Sequence, residues 1–112
     1  MGAIFVHDGD TVDYVPAADV ALGAVAVQGE LVGVAPRAIP ANALGSLCVS
    51  GVFDIAKATG AGSAIAAGAN VYWDEAEAVA KTDAEAGANK LIGKVTRAAA
   101  DADETVRVRL SQ

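Results

Sequence analysis

Aromatic side chains make up only 4% of this sequence, and cysteine, histidine and tryptophan occur once each. Each scarcity removes a class of explanation. A lone thiol, Cys48, cannot close an internal disulfide, so the fold does not depend on one and a reducing compartment suits it. One His and one Cys fall short of the usual zinc ligand sets. A Ser-His-Asp or Cys-His arrangement would have to use His7, and no serine here sits in a G-x-S-x-G setting. His7 therefore reads as a surface residue at a strand end. Basic residues are also few, eight against fourteen acidic ones, for a net charge of −6. Phosphate would be repelled unless Lys and Arg cluster, and the sequence reads as though they do not, so no nucleic-acid partner is expected. No apolar run approaches the ~20 residues that cross a bilayer, and "MGAIFVHDGD" lacks the basic start and apolar centre of a secretory signal. No membrane partner is expected, and synthesis in the cytoplasm is.

What is abundant is small and apolar. The hydrophobic fraction is 54%, much of it Ala and Val. One domain over residues 1–112 follows from the length, with a thin core that favours help from oligomer contacts. The chain reads as short valine-rich segments punctuated by glycine, which predicts an all-β fold: a small antiparallel β-barrel or β-sandwich. In "AIFVHDGDTVDYV" the step Asp8-Gly9 is a turn signal between two β-prone runs, and alternation turns Val12 and Tyr14 inward. "AVAVQGELVGVA" gives two strands around Gln28-Gly29. "SLCVSGVFDIAKA" is the longest strand-like run. "NVYWDE", "KLIGKVTRA" and "TVRVRL" are further strands; in the last, Val106, Val108 and Leu110 form a buried face and Arg107 and Arg109 a cationic one.

Two features admit alternatives. "DEAEAVAKTDAEA" is helical by propensity, but its apolar positions are nearly all alanine, so a helix would bury little. The preferred reading is a hairpin return strand over about 76–81, then a loop to Asn89. "VALGAVAV" from Val20 matches "IAAGANVY" from Ile65, and "LVGVAPRA" from Leu31 matches "LIGKVTRA" from Leu91, in the same order. Glycine-bounded valine strands resemble one another by chance. If the match is real, each half supplies similar strands to one barrel or sandwich.

Motifs that suggest chemistry have plainer readings. "DGD" at Asp8 to Asp10 lacks the further oxygen ligands of a calcium loop. "GAGSAIAAG" lacks the Gly-Lys-Ser/Thr ending of a phosphate cradle. "VYWDE" places Tyr72 and Trp73 side by side, so on a strand they face opposite ways and cannot form one stacking platform. One belongs in the core; the other is left for a surface or an interface. Asp74, Glu75 and Glu77 read as solvated acids beside a turn. No catalytic residue, metal ligand or cofactor site is expected.

Three blocks resemble a known family. "GDTVDYVPAADVALGAVAVQGELVGVA", "GVFDIAKATGAGSAIAAGANVYWDE" and "LIGKVTRAAADADETVRVRL" are similar, in order, to the capsid cement or head decoration proteins of tailed bacteriophages and prophages. The resemblance covers nearly the whole chain and departs in the Ala-rich stretch 76–88. It implies an all-β fold without catalysis. It also implies a virion protein on the outer surface of the assembled head, made in the bacterial host cytoplasm. There it would bridge major capsid subunits as a homo-oligomer, a trimer before a dimer. Residues 1–7 are expected to act as an arm, with Ile4, Phe5 and Val6 pairing on the capsid surface. Arg107, Arg109 and the exposed member of Tyr72 and Trp73 complete the expected interface. The alternative is a small-molecule or carbohydrate module using Trp73, Asp74 and Glu75.

Overall fold

The computed structural model describes residues 2–6 and 9–111. Among these residues there are nine strands: β1 (Thr11–Tyr14), β2 (Val25–Gln28), β3 (Leu31–Val34), β4 (Gly45–Cys48), β5 (Val52–Ala56), β6 (Asn70–Asp74), β7 (Val79–Lys81), β8 (Lys90–Arg97) and β9 (Thr105–Leu110). The remaining regular element is a single 3-10 turn, Glu85–Gly87. The strands form two antiparallel sheets, ordered β1-β4-β3-β2 and β5-β9-β8-β6-β7. Neither sheet closes into a barrel, so of the two expected architectures the sandwich-like one is correct.

The two sheets are copies of one design. Removing β7 from the second sheet leaves β5-β9-β8-β6, the same order as the first with each strand replaced by its later counterpart. Register repeats as well. Ala26 faces Gly33 in one half and Val71 faces Gly93 in the other; Val12 faces Leu47, and Phe53 faces Val108. The connecting loops repeat their bridges, Val20 to Ile39 and Ile65 to Ala99. Gly23 N–H donates to Ala35 O at 2.8 Å, and Gly68 N–H to Val95 O at 2.7 Å. Even a loop-to-loop aspartate recurs in reciprocal form: Asp19 Oδ1 accepts from Ala41 N–H, and Asp101 Oδ1 from Ala64 N–H, both at 2.8 Å. The chance explanation of the sequence repeat therefore fails. The halves differ mainly where β2 and β3 share the tight Gly29–Glu30 turn while β6 and β8 are separated by the β7 excursion.

One shared position is dictated by backbone approach. A Cβ on Gly33 would lie 2.8 Å from Leu47 Cβ and 3.1 Å from Cys48 O; on Gly93 it would lie 2.0 Å from Arg109 O and 2.7 Å from Ser111 N. These glycines occupy the same site in "LVGV" and "LIGK", and only a missing side chain lets the neighbouring strand come this close.

The main core joins the sheets. Val32 and Val34 of β3 pack with Ile55, Val71, Trp73, Ile92, Val95, Val106, Val108 and Leu110. A smaller cluster holds Ala26, Ala35, Ile39 and Leu47, with Val12, Tyr14 and Val20 at its margin. Three expectations need correction. "SLCVSGVFDIAKA" is not one strand: it breaks at Gly51, whose φ of 110° no other residue type adopts readily, and β4 and β5 enter different sheets. The return strand of the β6–β7 hairpin begins at Val79, not Ala76, because Ala76 to Ala78 form the turn. Residues 2–6 form no strand, although their composition is β-prone. Asp8 of the expected turn lies outside the described residues.

Candidate functional site

The outer face of the five-stranded sheet gathers three of the residues singled out from the sequence: Tyr72, Arg107 and Arg109. In β9, Val106, Val108 and Leu110 point into the core, so Thr105, Arg107 and Arg109 point out. In β6, Val71 and Trp73 are buried while Tyr72 between them is half-buried on the opposite face. Trp73 is 8% exposed. The aromatic left over is therefore Tyr72, which lies across from Lys81 and Leu91.

Pairing of β8 with β9 brings cations together that are well separated in the chain. Lys94 lies opposite Arg109 and Arg97 opposite Arg107, and all four are exposed. Four of the eight basic residues of an acidic chain thus share one strip. This corrects the expectation that Lys and Arg do not cluster: they form no run in sequence, but strand register assembles them. Arg107 is held by Asp54 of β5 through Nε at 3.0 Å and Nη2 at 3.3 Å. That two-point contact lowers the Asp54 pKa and raises that of Arg107. Asp103 and Glu104 line a hollow beside Arg97 and Arg107. Lys94, Arg97 and Arg109 have no ion-pair partner among the described residues, so the strip keeps free positive charge.

Asp74 is not the solvated acid expected from its place beside a turn. It is 6% exposed and accepts a hydrogen bond from Glu77 N–H at 3.0 Å. Lys81 bridges it at 3.0 Å and also contacts the Glu77 carboxylate. The Glu77 amide first, and then Lys81, hold the Asp74 carboxyl far below the usual carboxylate range. Lys81 is correspondingly raised, by Glu77 first and Asp74 second. The group fastens the β6–β7 turn. Because the folded-state pKa is depressed, the stabilisation is complete above the unfolded carboxylate value near ~4 and is withdrawn as pH falls below it. Asp74→Asn should lower the melting temperature at pH 6 and flatten its decline towards pH 3. Thermal melts across that range check this, and a parallel decline in both proteins would contradict it.

A buried lysine performs a similar task on the other side. Lys57, 5% exposed, donates to Ala58 O at 2.7 Å and Asp103 O at 2.9 Å. It ties the 58–63 loop to the 100–104 turn, one of the elements that shape the hollow beside Arg97. Nothing in its sequence context, "DIAKA", distinguishes it from a surface lysine.

The carbohydrate reading required Trp73, Asp74 and Glu75 on one accessible surface. Trp73 points into the core and Asp74 into a turn, leaving Glu75 exposed without them. Ile4, Phe5 and Val6 are 72%, 80% and 82% exposed and lie ahead of β1 in the chain, in no strand. His7 lies outside the described residues. No cluster of His, Cys, Asp and Glu suited to a metal occurs among the described residues.

A duplicated all-β domain, with its buried polar groups committed to turns and its free charge on a sheet face, has the make-up of a structural protein. The chain belongs to the phage cement protein family, whose family model matches residues 6–110. Membership places it among proteins of the phage capsid. No curated protein and no solved structure matches the chain.

Proposed function

We propose that this chain is a non-enzymatic head decoration protein that binds the outer surface of the assembled capsid and bridges major capsid subunits. It acts as one domain over residues 1–112, made in the host cytoplasm, without cofactor, nucleic acid or membrane. It works as a homo-oligomer, a trimer before a dimer. Family membership supports the setting, and the observation that carries the docking face is the strip of Lys94, Arg97, Arg107 and Arg109 on a chain of net charge −6. A local cationic face on an acidic protein steers it towards an acidic patch of a partner, and the remaining negative surface disfavours other approaches. Tyr72, on the same outer face, adds an aromatic with a polar end. Several such contacts per oligomer multiply, so that separating two capsomers requires breaking them together.

Arg109→Glu with Lys94→Glu reverses two of the strip's three unpaired charges while leaving the Arg107–Asp54 pair in place. Affinity for purified undecorated heads should fall by at least about tenfold, a loss of roughly 1.4 kcal/mol. The wild-type protein should also bind less tightly as salt rises. Unchanged occupancy and no salt dependence would sink this docking face. Deleting residues 1–7 should also lower occupancy, in keeping with the exposed apolar side chains Ile4, Phe5 and Val6.

A further inference from the structure

The duplication exposes an unequal edge. In the second sheet β6 is flanked on its outer side by β7, whereas its counterpart β2 ends the first sheet with no strand beside it among the described residues. The β2–β3 hairpin closes at Gln28 and Leu31 and continues through Ala26 and Gly33. Antiparallel pairing alternates, so the N–H and C=O groups of Val25 and Val27 point to the open edge. Val25 and Val27 are half-buried on the main-core side and Ala26 is buried on the other, so a strand laid here would meet apolar surface on both faces. Beside the start of β2 runs an apolar groove of about 600 Å³ lined by Leu22, Ala24, Val25, Phe53, Trp73 and Ala78. Leu22 is 70% exposed there.

We infer that the arm segment Ala3–Val6 of a second copy of this chain adds to the β2 edge, standing where β7 stands against β6. The arm is apolar on both faces, with Ile4 and Val6 alternating with Ala3 and Phe5, and its β-branched and aromatic residues favour an extended strand. Its Ile4, Phe5 and Val6 are largely exposed in the single chain. It precedes β1, at the opposite end of the first sheet from β2, so its own edge is reached only by crossing the sheet, while a neighbour's lies open. Joining one surface to a different one is a heterologous contact, which repeated through a closing rotation gives a ring. The arm thus assembles the oligomer, and the cationic strip stays free for the head. This rests on the homo-oligomer proposed above but not on head binding, and its mass and exchange measurements are made before any heads are added, so either can fail alone.

The test compares the native chain with Ile4→Asp/Phe5→Asp, whose altered side chains are exposed and leave the fold intact. Solution mass should drop from oligomer to monomer in the variant, with the thermal unfolding of the monomer unchanged in cooperativity. Amide exchange at Val25 and Val27 should be at least ~10-fold slower in the native oligomer than in the variant. A native monomer, an oligomer that survives the double substitution, or fast exchange at both valines in the native oligomer would each overturn the inference. So would protection that appears only when heads are added, because the edge would then be filled by a capsid strand.

Discussion

Gly93→Ala should cost at least about 3 kcal/mol of folding stability and lower the melting temperature by on the order of 10 °C or more. The added methyl would sit 2.0 Å from Arg109 O and 2.7 Å from Ser111 N. Both are backbone atoms, so the clash cannot be relieved by a side-chain rotation; β8 and β9 must separate, and they bear the cationic strip. Gly33→Ala should be milder, since its nearest neighbour is the Leu47 side chain at 2.8 Å. Denaturant unfolding of both variants orders them. Equal, small effects would mean that the close approach of paired strands is not what selects glycine in the two halves.

Trp73→Ala should cost about 3–5 kcal/mol, the usual range for removing a buried aromatic, whereas Tyr72→Ala should leave stability within roughly 1 kcal/mol of wild type. Neighbours in sequence, they divide between core and surface because strand side chains alternate. The contrast should reverse on heads: Tyr72→Ala folds but loses occupancy if the outer face docks. A large folding loss from Tyr72→Ala, with little from Trp73→Ala, would place the wrong aromatic in the core.

Much of the fold was legible along the chain. Alternation in "TVRVRL" marked the buried face of β9, and "VALGAVAV" with "IAAGANVY" marked the duplication that the paired hydrogen bonds now bear out. The all-β class followed from glycine-bounded valine segments, and the Ala-rich stretch was correctly preferred as a hairpin. What was illegible depends on register or on burial by distant residues. The cationic strip exists because β8 lies beside β9, which places Lys94 by Arg109 and Arg97 by Arg107. Asp74 looked like any acid near a turn until the Glu77 amide and Lys81 closed over it. The open β2 edge is visible only by comparison with β6, whose extra strand comes from the segment where the two halves differ most.

The proposed role requires that this chain docks on the outside of an assembled head. Sedimentation of the purified protein with undecorated heads tests it most directly, with the bound amount quantified as protein is added. The expected result is saturable binding that weakens with salt and is lost from Lys94→Glu/Arg109→Glu, together with heads that withstand more heat before releasing their contents. Absence of the protein from the head pellet at every concentration would contradict it.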